Sequence, residues 1–207
     1  MIDSYSSIKE GVFTLEIKRS EFIAYSFPVE NEDDAAEKLA AVRKKHYDAR
    51  HVCYAFVADE DGMIARFSDD GEPSGTAGKP ILDVIKKSGL KKSLIAVVRY
   101  FGGILLGAGG LTRAYSDSAA SVVKQCGAVT FTKKSLLSLK TDYSTYKKIS
   151  AAIKNAGETV SVEYDSAVTA TLACDNADKA KSLLTEMTKG TAEVKILGEK
   201  YFASEGK

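Results

Sequence analysis

Two glycine-rich stretches hold the residues best suited to binding chemistry. Half of the 16 glycines lie in FSDDGEPSGTAGKP (67–80) and RYFGGILLGAGGLTR (99–113). Glycine costs conformational entropy, so this density indicates turns with positive φ, close backbone approach or an exposed row of amides. In the second stretch a strand runs into the glycines and then into a helix predicted to begin near Gly110 or Leu111. Free amides at a helix N-terminus next to glycine-rich turns form a cradle for anions.

Two arginines flank this cradle. Arg99 ends the strand, and Arg113 falls in the predicted first turn of the helix. A planar guanidinium matches the geometry of a phosphate group. The alternative, that the glycines only build tight turns, remains open. The predicted phosphate- or RNA-binding set is Arg99, Gly102, Gly103, Gly109, Gly110 and Arg113.

Three carboxylates cluster in the first stretch, at Asp69, Asp70 and Glu72. Carboxylates on a loop hold Mg²⁺ or act as a general acid and base. They also form turns, in which an aspartate accepts backbone N–H bonds while Pro73 and Gly75 set the geometry. The turn is the favoured interpretation, and a metal-binding role is the alternative.

Few other residues offer metal-binding or nucleophilic chemistry. The chain has two histidines and three widely spaced cysteines without a C-x-x-C pair, so neither a metal site nor a disulfide framework is predicted. His51 and Cys53 share one face of a predicted strand, where side chains point in parallel, and a Cys–His dyad is not expected. Reduced cysteines and the lack of a secretory signal favour the cytoplasm.

Known phosphate-binding loops do not match. A Walker A loop around Gly78-Lys79 fails because Pro80 follows it and Pro73 occupies the first glycine position. The dinucleotide fingerprint fails because Thr112 stands where its last glycine belongs. The sequence therefore predicts no nucleotide cofactor.

Charge composition narrows the partner class. There are 29 Lys and Arg against 28 Asp and Glu, a net charge of +1, which excludes a general polyanion binder. No apolar run is long enough to cross a membrane.

Three aromatic residues lie close to the two arginines: Tyr100, Phe101 and Tyr115. They either stack on bases of single-stranded RNA or belong to the core.

The elements that must position these residues fall into two parts. Residues 1–132 alternate strand and helix patterns and predict an α+β domain, with a last strand near 128–132. Residues 135–204 predict the order βαββαβ of a ferredoxin-like domain, with helices that end at Gly157 and Gly190. The domain boundary is predicted between 132 and 135.

Four blocks of the first part resemble the YigZ/IMPACT protein family. They are KRSEFIA (18–24), DARHVCYAFV (48–57), FSDDGEPSGTAGKPIL (67–82) and VVRYFGGILLGAGGLTRAYSDSA (97–119). The resemblance implies a first domain with the fold shared by elongation factor G domain IV and the phosphorolytic ribonucleases. It implies a second domain similar to elongation factor G domain V. Eukaryotic members of the family regulate translation during amino-acid starvation by binding a ribosome-associated activator of a kinase.

Together these points predict a regulator of translation that binds RNA or the ribosome, without a cofactor. One alternative is a metal-dependent enzyme acting on RNA or nucleotides, with Asp69, Asp70 or Glu72 at the metal. The other is an adaptor that binds a protein of the translation machinery and no nucleic acid.

Overall fold

The computed structural model describes residues 2–204. Contacts divide the chain into a first unit that ends at Phe131 and a second unit, Thr132–Ala203, with Ser204 grouped with the first. The mixed α+β class is confirmed. Among the described residues, no helix has the length and apolar character needed to cross a membrane.

The first unit is built on an antiparallel sheet with the strand order β2-β3-β6-β4-β5. Its central strand, β6, has the sequence SLIAVVRY and is buried at every residue except the last, as its apolar composition predicts. The elements of this unit are β1 (Ser4–Ile8), β2 (Gly11–Ile17), β3 (Ser20–Pro28), α1 (Glu32–Lys45), β4 (His51–Val57), β5 (Ala65–Ser68), α2 (Gly78–Lys87), β6 (Ser93–Tyr100) and α3 (Gly107–Cys126).

Helices cover both faces of this sheet. One face packs Phe22, Cys53 and Val97 against α2 and α3. The other face packs Leu94 against α1, whose buried side includes Leu39. Because successive side chains of a strand point to opposite faces of the sheet, Arg99 lies on the α2/α3 face and Tyr100 on the α1 face.

The second unit has the element order βαββαβ, with its first helix in two segments. Strand β7 begins within the first unit, where its early residues pair with β1 and Ser6 Oγ lies 3.2 Å from Thr130 Oγ1. In the second unit β7 continues in a sheet with the strand order β10-β7-β9-β8. The elements of this unit are β7 (Ala128–Thr141), α4 (Tyr143–Lys148), α5 (Ser150–Ala156), β8 (Glu158–Tyr164), β9 (Val168–Cys174), α6 (Ala177–Met187) and β10 (Glu193–Ala203).

Several predicted element boundaries were wrong. The strand near 128–132 and the strand from 135 are one strand, β7, and the short first strand β1 was not predicted. Helix α3 begins at Gly107, three residues earlier than predicted, because Leu106 occupies its N-cap position and glycines fill its first turn. These residues give none of the usual signals of a helix start. Arg113 therefore lies in the second turn of α3.

Candidate functional site

A buried ion pair holds the acidic loop (residues 69–72) against β6. Arg99 Nη1 donates a hydrogen bond to Glu72 Oε1 over 2.7 Å, and the two side chains are only 7% and 3% exposed. Tyr115 of α3 donates its hydroxyl to the same oxygen over 2.8 Å. Glu72 thus joins the acidic loop to both β6 and α3.

The Arg99 guanidinium also lies between two aromatic rings. Its central carbon is 5.5 Å from the centroid of Phe22 and 5.6 Å from that of Phe101, within cation–π range. Its Nε is buried and has no hydrogen-bond partner among the described residues. With Nη1 bound to Glu72, Arg99 is turned inward, and direct phosphate contact by this residue stays a prediction.

Cys53 lies against the same network. Its Sγ is 3.0 Å from the carbonyl oxygen of Asp69 and 3.4 Å from the hydroxyl of Tyr115. Burial raises the pKa of the Cys53 thiol to about 12, so the thiol stays protonated and unreactive at neutral pH. Burial likewise raises the pKa of Tyr115. Tyr115 is fully buried and therefore not available for stacking on a base.

Asp69 caps helix α2. Its carboxylate accepts hydrogen bonds from the amides of Gly75, Ala77 and Gly78 at 2.8–2.9 Å. Burial disfavours the charged carboxylate, but the three N–H donors outweigh it and lower the pKa of Asp69. The carboxylate takes the place that a bound anion occupies at an open helix start.

Asp70 binds a different set of donors. Arg43 of α1 donates two hydrogen bonds to its carboxylate, at 2.9 and 3.0 Å, and the amide of Val52 donates a third at 2.8 Å. Burial opposes ionisation, but these donors prevail and the pKa of Asp70 is lowered. Over residues 2–204 no group of three or more His, Cys, Asp or Glu is placed to hold a metal ion.

Helix α3 presents an open N-terminus, unlike α2. Its N-cap residue, Leu106, makes no side-chain cap, and its first turn contains no acidic residue. Residues 107–109 are exposed, and no described side chain accepts a hydrogen bond from their amides. These N–H groups, with the positive end of the helix dipole, face solvent.

Arg113 lies on the same face of α3 as two of the predicted glycines. Gly109 and Gly110 precede it by four and three residues, which places them on one side of the helix. Arg113 is exposed, and helical side chains lean towards the N-terminus, which is where these glycines leave the backbone bare. A Cβ at Gly109 would have nothing within 4 Å, and one at Gly110 would lie 3.1 Å from Leu106 Cβ.

Gly102 and Gly103 have different local roles. A Cβ at Gly102 would lie 2.0 Å from the backbone carbon and oxygen of Arg19, so only glycine fits there. Gly103 has φ +82° and open space around it, which indicates a turn. The first glycine serves a close backbone approach and the second a left-handed conformation.

An open cleft lies where β4 begins and β6 ends. Its volume is about 620 Å³, and Phe101 and Leu105 at its border are 53% and 82% exposed. Arg50 and His51 also line it, and neither was predicted from the sequence as a phosphate-binding residue. The DARH block was the only signal for them, because nothing in the sequence indicates that β4 begins beside the end of β6. The full lining is Asp48, Arg50, His51, Arg99, Tyr100, Phe101 and Leu105.

A buried histidine network lies on the α1 face of the sheet. Tyr100 donates its hydroxyl to Asp48 over 2.9 Å, so its oxygen accepts from Nδ1 of His46, also at 2.9 Å. Nε2 of His46 then accepts from the Tyr25 hydroxyl at 2.8 Å. This arrangement satisfies a neutral imidazole at both nitrogens.

The network predicts a loss of stability in mild acid. Burial lowers the pKa of His46 in the folded protein, with the charge of Lys45 acting in the same direction. Below about pH 6.5 the unfolded chain therefore takes up a proton that the folded chain does not, and the free energy of unfolding falls as pH falls. Urea unfolding at pH 7.5 and 5.5 should show a smaller drop in His46→Gln than in the unsubstituted protein. Equal drops would contradict this role of His46.

The chain is similar to several known proteins. Residues 18–123 match the model of the Impact N-terminal domain. The chain is 36% identical to the IMPACT family member YvyE of Bacillus subtilis, with 94% of this chain and 92% of that protein covered. It is 34% identical to the IMPACT family member YigZ of Escherichia coli, with coverage of 89% and 93%. A solved crystal structure of a protein described as hypothetical matches with a TM-score of 0.66 at 32% identity, covering 94% and 97% of the two chains.

Proposed function

The chain belongs to the IMPACT family, and on this premise we propose that it binds RNA or the ribosome and regulates translation. The contact with RNA is made to phosphate, through the strand, glycine-rich loop and helix formed by residues 99–113. A net charge of +1 fits a specific contact of modest affinity rather than general attraction to polyanions.

The observation that carries this proposal is the open N-terminus of α3. Its exposed amides have no described side-chain acceptor, and the exposed Arg113 follows Gly109 and Gly110 on the same side of the helix. In α2 Asp69 already binds the amides of the N-cap residue Ala77 and the first helical residue Gly78. A phosphate at α3 would satisfy these donors and gain the charge of Arg113.

Phe101 supplies the second component of an RNA contact. Its ring is about half exposed at the border of the cleft, and one face lies near the Arg99 guanidinium. An exposed ring beside a cleft suits the stacking of an unpaired base. We assign the outward phosphate contact to Arg113 and treat Arg99 as the residue that positions Phe101.

We also propose that the two units share the folds of two elongation factor G domains, which agrees with this function. The strand order β10-β7-β9-β8 with helices between the strands supports a ferredoxin-like second unit similar to elongation factor G domain V. The first unit is proposed to share the fold of elongation factor G domain IV. Both likenesses favour a ribosomal partner by analogy alone.

Loss of Arg113 is expected to weaken RNA binding about tenfold, since a hydrogen bond to a charged group contributes about 1.5–3 kcal/mol. Phe101→Ala should cost a similar factor through lost stacking. The assay is fluorescence anisotropy with a labelled oligouridine over a range of salt concentrations. In Arg113→Ala the slope of log K against log[salt] should fall by about 0.7.

Lys124→Ala is the matched control, because Lys124 is exposed on the same helix more than two turns beyond Arg113. It should bind RNA like the unsubstituted protein. If Arg113→Ala and Lys124→Ala lose affinity equally, the contact is not at the start of α3. If the unsubstituted protein neither binds RNA nor sediments with ribosomes, the proposed function is wrong.

A protein partner from the translation machinery is the second candidate. Ile104 and Leu105 are 42% and 82% exposed in the same loop, and apolar side chains of this kind bind proteins more readily than RNA. Binding to ribosomes that survives high salt and is lost in Leu105→Asp would favour it. The enzyme alternative has no such support, because Asp69, Asp70 and Glu72 are each bound by separate donors.

A further inference from the structure

The hairpin between β2 and β3 turns through two basic residues in an unfavourable conformation. Ile17 pairs with Ser20, so Lys18 and Arg19 alone form the tip, and their φ angles are 47° and 64°. Two consecutive left-handed residues form the type of turn for which Asn-Gly is strongly preferred. Side chains with a Cβ are strained in this region, and such strain concentrates at functional positions.

The hairpin tip (Lys18 and Arg19) is fixed beside the glycine-rich loop. The backbone of Arg19 fills the space next to Gly102 where a Cβ would lie. The amide of Gly102 donates a hydrogen bond to Ser20 Oγ over 3.2 Å. The tip therefore has a defined position relative to Gly102.

Helix α3 brings Arg113 to the same end of the first unit. Near the C-terminus of α3, Gln125 donates to the carbonyl oxygen of Val12, at the beginning of β2, over 2.9 Å. Further along, Asp117 of α3 and Ile17 of β2 line one groove. The helix thus runs antiparallel to β2, and its N-terminal turns lie towards the hairpin tip.

The basic side chains of the tip are exposed and make no ion pair within residues 2–204. This differs from Lys92, another lysine with positive φ (44°), whose ammonium group binds Glu30 and Glu60 at 3.2 and 2.9 Å. Ion pairing accounts for the Lys92 side chain, whereas the described residues include no such partner for Lys18 and Arg19. Glu16 and Glu21 pair across the hairpin just below the tip, which keeps the local net charge small.

We propose that the hairpin tip is a second phosphate-binding element for single-stranded RNA, so that the strand contacts both the tip and the start of α3. This rests on the proposed function and extends it to the β2–β3 hairpin. Because an Asn-Gly tip would fold more easily, the basic tip is retained for binding at the expense of stability.

The test is the double variant Lys18→Asn/Arg19→Gly. Its melting temperature should rise by roughly 3–6 °C, because the turn loses its strain. Its affinity for labelled oligouridine should fall about tenfold or more, and the salt slope should fall by about 1.4, equivalent to two phosphates on a single strand. Lys18→Gln/Arg19→Gln should lose the same affinity without gaining stability, because it removes the charge and keeps the turn strained.

Lys189→Asn is the matched control. Lys189 is exposed in the second unit and has φ 52°, so this variant also relieves a left-handed lysine and removes a charge. It should leave RNA affinity unchanged. If Arg113→Ala weakens binding and both hairpin variants bind normally, the hairpin proposal is wrong while the proposed function stands. If the unsubstituted protein binds no RNA, both are wrong.

Discussion

Replacing Glu72 with Gln is expected to destabilise the protein by about 3–5 kcal/mol, because it leaves a buried guanidinium without a counter-charge. The Arg99 side chain is only 7% exposed. Among the described residues, Glu72 Oε1 is the only acceptor that binds its guanidinium. The same oxygen holds the Tyr115 hydroxyl. The amide of Gln would keep one acceptor for these two donors but would not balance the charge.

Urea titration measures the loss in the free energy of unfolding. Two further variants test whether the loss comes from the unbalanced buried charge. Glu72→Gln/Arg99→Met should recover most of the lost stability, since an apolar pair removes the unbalanced charge. Glu32→Gln breaks the exposed pair with Arg66, whose side chains are 45% and 59% exposed, and should change stability by less than about 1 kcal/mol. Equal effects of Glu72→Gln and Glu32→Gln would show that burial does not set the strength of the Arg99 pair.

Replacing Gly102 with Ala is expected to cost about 3 kcal/mol or more, at the upper end of overpacking effects. The added carbon would overlap the backbone of Arg19, which cannot rotate away as the end of a flexible side chain can. The hairpin tip or the glycine-rich loop must then move, and RNA binding should weaken together with stability.

Two other glycines provide the comparison for Gly102. Gly103→Ala should cost roughly 1–2 kcal/mol, because φ is +82° but the surrounding space is open. Gly109→Ala should raise stability by up to about 1 kcal/mol, since it lies inside α3 with nothing near its Cβ. The three free energies of unfolding from urea titrations should follow this order. If Gly102→Ala proves as mild as Gly103→Ala, the close approach to Arg19 is not required for folding.

The sequence alone was sufficient to predict the family and the α+β class, and it identified the two glycine-rich segments as the candidate site. These conclusions depend on patterns within short windows, such as the Asp and Gly residues of the 67–80 stretch. Asp69 binds amides only six to nine residues away, so its turn chemistry was accessible from local spacing. The start of α3 lacked such a local signal, because its N-cap residue is Leu106 and its first turn is rich in glycine.

The tertiary structure decided which of the candidate groups face inward and which face solvent. Arg99 and Arg113 are both arginines next to glycines, yet one is bound to Glu72, 27 residues away in the chain, and the other is exposed. The hairpin tip reaches the glycine-rich loop through Ser20 and Gly102, which are 82 residues apart. Such contacts depend on strand order, on the face that alternation gives each side chain and on the direction of α3 along β2. None of these is encoded in a local window, so only the folded chain separates the buried, paired arginine from the solvent-exposed one.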